Sequence, residues 1–99
     1  MKISDYFQNV ENILYSTPLV YSIDIHTEAI DIYFGYFNSK IIFYDASKLY
    51  LFELVEIVKE TPYIEKYRYH YQDKNNKLIK RWDNAPHYPI LINISESFT

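Results

Sequence analysis

The sequence contains no cysteine and a single glycine, Gly35. Without cysteine there is no disulfide framework, no thiolate nucleophile and no thiol-based metal site. One glycine excludes the dinucleotide-binding fingerprint, the phosphate-binding P-loop and the nucleophile elbow, each of which needs at least two. No apolar run approaches the roughly twenty residues of a membrane span. The opening Met-Lys-Ile-Ser-Asp lacks the apolar core of a signal peptide, so a cytoplasmic protein without membrane contact is expected. The three histidines, His26, His70 and His87, share no ligand spacing, and neither His-Glu-x-x-His nor a calcium loop occurs. No metal and no cofactor are therefore expected. An excess of positive charge is also missing. Ten basic residues face thirteen acidic ones, for a net charge of −3, which argues against a protein dedicated to coating nucleic acid.

What the chain has in abundance is aromatic side chains, 19% of its 99 residues: twelve Tyr, six Phe and one Trp. Aromatic and β-branched residues fit a pleated, half-buried surface, so this composition favours sheet. Length and a hydrophobic share of 48% allow one core, hence a single domain over 1–99. Charge is uneven along the chain. Residues 1–64 carry four basic and nine acidic side chains, whereas residues 65–99 carry six basic and four acidic. Those six basic residues are Lys66, Arg68, Lys74, Lys77, Lys80 and Arg81. They make either a solvated hairpin or a surface for an anionic ligand.

Apolar residues Ile3, Phe7, Val10 and Leu14 predict a helix over about 4–15, capped by Ser4 or Asp5 and stopped by Pro18. Period-two alternation then predicts strands through 19–26, 30–37 and 40–45, with turns at His26-Thr27-Glu28 and Asn38-Ser39. The isolated Gly35 signals a bulge or close backbone approach. Residues 48–57 read as strand rather than helix because of their aromatics. The clearest element is the 65–83 hairpin, with Tyr67, Tyr69 and Tyr71 alternating against Lys66, Arg68, His70 and Gln72. A three-residue loop with Asn76 left-handed would oppose Tyr71 to Ile79 and Tyr69 to Arg81. Arg68, His70, Lys80 and Trp82 would then share one face; a two-residue turn would slip the register and exchange these assignments. A short strand at 90–94 completes an α+β fold: an N-terminal helix followed by an antiparallel meander of five or six strands.

The candidate chemistry lies in Arg68, His70, Lys80, Arg81, Asp83 and His87. Cationic side chains can hold a phosphodiester and stabilise its transition state, and a histidine can shuttle a proton. Tyr69, Tyr71 and Trp82 can stack on unpaired bases. Alternating tyrosine and basic residues are equally what any half-exposed strand pair displays. His26, beside an expected turn, reads as plain surface.

The stretch Tyr67-Arg-Tyr-His-Tyr-Gln-Asp-Lys-Asn-Asn-Lys-Leu-Ile-Lys-Arg-Trp-Asp-Asn-Ala-Pro-His87 resembles the signature of the TumE family of small prokaryotic toxins. It carries that family's Tyr-x-Tyr-His and Gln-Asp at Tyr67, Tyr69, His70, Gln72 and Asp73. Leu-Ile-x-Arg-Trp-Asp-Asn-Ala-Pro-His follows from Leu78 to His87. Asn76 stands where the family's turn usually has glycine, and the Pro-His-His-Lys-His continuation frequent in the family is absent. The resemblance implies a RelE-like toxin of a type II toxin–antitoxin system, paired with a small antitoxin protein and acting as a metal-independent ribonuclease. In that reading His70 or His87 transfers protons, Arg68, Lys80 and Arg81 bind phosphate of single-stranded RNA, and Asp83 orients one of the histidines. The competing reading is a non-enzymatic interaction module. A homodimer is expected under both, because eighteen Tyr and Phe exceed what one helix can cover. With the basic residues concentrated at 66–81, Lys80 and Arg81 should dominate RNA binding, and Lys40 and Lys48 should hardly matter.

Overall fold

A computed structural model describes residues 1–84. His87 and the strand expected at 90–94 lie outside the described residues. The elements are α1 (Ile3–Ser16), β1 (Val20–Asp31), β2 (Phe34–Phe43), β3 (Lys48–Val58), β4 (Thr61–Gln72) and β5 (Leu78–Asp83). All five strands form one antiparallel sheet in sequence order, so the α+β meander expected from the periodicity is present.

The helix is capped differently from the expectation. Lys2 holds the N-cap position, while Ser4 and Asp5 lie inside the first turn. From the third helical position the Asp5 carboxylate reaches back and accepts the Lys2 backbone N–H at 2.7 Å, one arm of a capping box. At the other end the Thr17 hydroxyl donates to the Ile13 carbonyl, 2.7 Å away, before Pro18 ends the element.

The two early turns are also corrected. Strand β1 runs unbroken through His26-Thr27-Glu28, and β2 through Asn38-Ser39. The chain reverses instead at Ile32-Tyr33, where Asp31 Oδ1 accepts the Tyr33 N–H, and again at 44–47. Both misleading turn signals arise from a sheet with one polar face, where every second side chain is hydrophilic. Ser39 turns inward and donates its hydroxyl to the Asp24 carbonyl at 2.9 Å, while Asn38 points the other way and is exposed. The β3–β4 connection is a tight turn with Lys59 and Glu60 both left-handed (φ 49° and 66°).

The expected three-residue loop after β4 forms, with Asn76 at φ 64° and the Asp73 carboxylate accepting from the Asn75 and Lys77 N–H groups. Beyond it the register departs from expectation. Gln72 pairs with Leu78, but Tyr71 pairs with Lys80, leaving Ile79 as a bulged residue. That one extra residue inverts the phase of β5 relative to the loop.

Helix α1 packs across β1, β2 and β3 near the β1–β2 turn, burying Ile3 and Phe7 against Phe37, Val55 and Ile57. The Ile3 N–H donates to the Ile32 carbonyl at 2.9 Å and fixes the helix start to the turn. Gly35 is the position where the helix comes closest: a Cβ there would lie 3.1 Å from the Phe7 ring and 2.3 Å from the Glu28 carbonyl oxygen. A fourteen-residue helix is about 21 Å long, whereas a twelve-residue strand is about 40 Å long. The helix therefore covers one end of one face. The rest of that face is an apolar groove of about 800 Å³ walled by Leu19, Phe43, Leu49, Tyr69, Tyr71 and Trp82.

Candidate functional site

Period-two alternation across four antiparallel pairings sorts the side chains onto two faces. On the face opposite the helix, the register lines up Asp24, Lys40, Tyr50, His70 and Arg81 as one cross-strand row spanning all five strands. The adjacent row holds His26, Asn38, Phe52, Arg68 and Asp83. Among the described residues no helix covers these rows.

Within the first row the groups touch in sequence. Lys40 Nζ lies 5.8 Å from the centre of the Tyr50 ring, and that ring packs edge-on to His70 at 5.9 Å. Arg81 Nη2 is 3.2 Å from His70 Nδ1, and His70 Nε2 is 3.0 Å from Gln72 Oε1. A guanidinium has only protons to give. Nδ1 must therefore be the acceptor, and Nε2 carries the proton it donates to Gln72. Gln72 in turn donates to Asn76 Oδ1, which also accepts from Lys48 Nζ, each at 2.9 Å. Arg81 thus occupies the Nδ1 lone pair, and Gln72 holds the opposite edge of the ring.

The second row is also built from rings and cations. Arg68 lies 5.7 Å from the Phe52 ring centre, Phe52 tilts against Tyr36 at 6.0 Å, and Tyr36 against His26 at 6.3 Å. His26 is thus part of this face, in mid-strand rather than beside a turn. Between the rows is a hollow of about 430 Å³ bordered by Asp24, His26, Asn38, Lys40, Phe52 and His70.

The residues expected to act together are divided between the two faces. Arg68, His70, Arg81 and Asp83 share the open face. Lys80 and Trp82 do not join them: the Ile79 bulge turns both toward the tyrosine side, where Lys80 Nζ lies 5.1 Å from the Trp82 ring. Tyr69 and Tyr71 are on that side too, and structural bonds occupy their hydroxyls. Tyr71 donates to Ser47 Oγ at 3.1 Å. Tyr69 donates to one oxygen of the buried Glu53 carboxylate while Tyr6 of the helix donates to the other. Burial first, then the hydrogen bond and negative charge of Glu53, pushes both phenols well above the ordinary tyrosine range. Conversely, Lys40, Tyr50 and Phe52 belong to the open face. Sequence reading missed them because they come from β2 and β3, far from the basic cluster.

The exit from β5 is pinned by Asn84. Its side-chain oxygen accepts the Tyr67 N–H at 2.6 Å, and its amide donates to the carbonyl of Glu65, the bulged residue of β4, at 3.3 Å. Asn84 thus bonds to the neighbouring strand. No three His, Asp or Glu side chains cluster as a metal site among the described residues, and no described helix is long and apolar enough to cross a membrane.

A family model described as Toxin TumE matches residues 10–97. No curated protein and no solved structure matches the chain.

Proposed function

The chain belongs to the TumE toxin family, and on that premise we propose that it is a ribonuclease toxin working from the open face of its sheet, in the cytoplasm, restrained by a small antitoxin protein. The observation that carries this reading is the His70–Arg81 contact at 3.2 Å, in a cross-strand row that also holds Lys40 and Tyr50 and that no described helix covers. Arg81 and Lys40 bind the phosphodiester of single-stranded RNA, with Arg68 of the next row beside them. Asp83, opposite Arg68 in the register, is its cross-strand neighbour. A phosphate attracts the guanidinium more strongly than a neutral imidazole does, since hydrogen bonds between ionised partners are about twice as strong. Arg81 then transfers to the phosphate and releases His70 Nδ1. The freed lone pair takes the proton of a ribose 2′-hydroxyl, and the 2′-oxygen attacks the adjacent phosphorus. The 5′-oxygen leaves with a proton, and a 2′,3′-cyclic phosphate remains. Arg81 stabilises the charge that builds on the phosphoryl oxygens, and the Gln72 bond holds the ring in position. His87, three residues past the pinned Asn84, is the candidate donor to the leaving oxygen.

Expression of the chain alone should arrest growth, and the purified protein should cut single-stranded RNA to products ending in cyclic phosphate. His70→Ala and Arg81→Ala should each abolish both effects while leaving the circular dichroism spectrum and melting temperature unchanged. Intact RNA after incubation with wild-type protein at low salt would end this reading. The bare aromatic groove favours a second reading, a dimeric interaction module. Light scattering at micromolar concentration tests it: a mass of one chain removes the dimer, and a dimer whose formation depends on Trp82 and Leu19 supports it.

A further inference from the structure

The hollow between the two rows has a shape and a set of polar groups that the cleavage step does not use. Tyr50 and Phe52 are two positions apart on β3 and point to the same side, so their attachment points are separated by roughly 7 Å along the strand. That is about twice the contact distance of one aromatic ring on another, so a planar base can enter between them. The volume of about 430 Å³ suits one nucleotide. Lys40 and Arg68 flank it as cations. The polar groups on the β1–β2 side are the Asp24 carboxylate and the Asn38 amide. Asp24 forms no salt bridge with a described residue, and its row neighbour Lys40 lies over the Tyr50 ring. Its carboxylate is an acceptor with two oxygens available.

Among the four bases, guanine presents two adjacent donors on one edge, N1–H and the N2 amino group, matching a carboxylate oxygen for oxygen. Uracil presents one such N–H. Adenine and cytosine present an amino group beside a ring acceptor, and that acceptor would face a negative oxygen. Asn38 can donate its amide to guanine O6 or accept from other edges, so it does not reverse the choice. We propose that this hollow is a base-specific subsite for one unpaired guanine of an RNA strand, stacked between Tyr50 and Phe52 and read by Asp24, which stands in the same cross-strand row as His70. The inference rests on the ribonuclease reading for the identity of the ligand, and it adds where the strand lies and which base it needs.

The test uses tetranucleotides of sequence UUNU made wholly of 2′-O-methyl ribose, which cannot be cleaved, titrated against the full chain by fluorescence anisotropy at low salt. The guanine oligonucleotide should bind at least fivefold tighter than the other three, and inosine, which lacks the N2 amino group, should fall between. Asp24→Asn should bring guanine to the level of the others without weakening those. Its fold is protected because Ser39 bonds to the Asp24 backbone carbonyl, not to its side chain. Phe52→Leu should weaken all four by about five- to 160-fold, the range for losing one stacked base. Equal affinity for the four bases, or a guanine preference that survives Asp24→Asn, would overturn the subsite and leave the ribonuclease reading intact. Failure of every oligonucleotide to bind would remove both.

Discussion

The two faces of this sheet are made from the same strands and the same residue types, yet they do different work. On the helix-bearing face, aromatic rings are buried against one another: Phe37 packs at 6.3 Å from Phe7, and Tyr69 is tied to Glu53. On the open face, rings alternate with cations, as Tyr50 does with Lys40 and Phe52 with Arg68. Burial makes the first face a source of stability, because apolar area leaves water there. Partial exposure of Tyr50 and Phe52, beside the exposed Lys40 and Arg68, makes the second a poorer source of stability and a ready surface for a ligand. The difference is decided by where α1 sits, since neither face is distinguished by its count of aromatics.

The largest effect that can break this comparison is a ring deletion on each face. Phe37→Ala should cost about 3–5 kcal/mol in urea unfolding, the range for a fully buried aromatic, while Phe52→Ala should cost about 1 kcal/mol or less. Equal losses would mean that the open face is covered in solution.

Next in size is Glu53→Ala, which removes the acceptor of two tyrosine hydroxyls at the boundary between helix and groove. A loss of about 2–3 kcal/mol at neutral pH is expected, because hydrogen bonds to a charged group exceed neutral ones. The same triad predicts a pH dependence. Tyr6 and Tyr69 hold their protons above the ordinary tyrosine range in the folded chain, whereas an unfolded chain releases them near pH 10. Their contribution is therefore full below about pH 10 and is lost as the pH rises beyond it. Alkaline urea titrations should show this loss, and Glu53→Gln should reduce it.

A smaller contrast separates two lysines. Lys40→Ala, on the open face, should lower the salt slope of RNA binding by about 0.7, the single-strand value for one phosphate contact. Lys80→Ala, on the tyrosine face, should leave the slope unchanged. This reverses the weighting that sequence position alone suggests, and equal slopes for the two variants would restore it. The smallest effect belongs to neither face. Lys59→Asn, in the left-handed turn after β3, should stabilise the fold by about 0.5–1 kcal/mol, since asparagine tolerates that conformation better. RNA affinity should not move with it.

The sequence by itself determined the helix, the change of period at Pro18, the strand over 48–57, the left-handed Asn76 and the close approach at Gly35. Apart from Gly35, which is crowded by Phe7 and Glu28 from other elements, each depends on neighbours within a few residues, through side-chain spacing or backbone sterics. The 67–87 signature was equally legible, and so was the family it belongs to. Tertiary structure decided which residues share a face. Alternation tells that Arg68 and His70 point one way and Tyr69 the other, but it does not set the phase of the next strand. A single bulged residue, Ile79, reversed β5, placing Arg81 beside His70 and sending Lys80 and Trp82 to the tyrosines. Pairing across β2 and β3 brought in Lys40, Tyr50 and Phe52, which lie fifteen or more positions before the signature's first residue, Tyr67. Those partners are chosen by the summed hydrogen-bond register of four strand pairs and by the side on which one short helix buries its apolar stripe, and no local pattern in the chain encodes that sum.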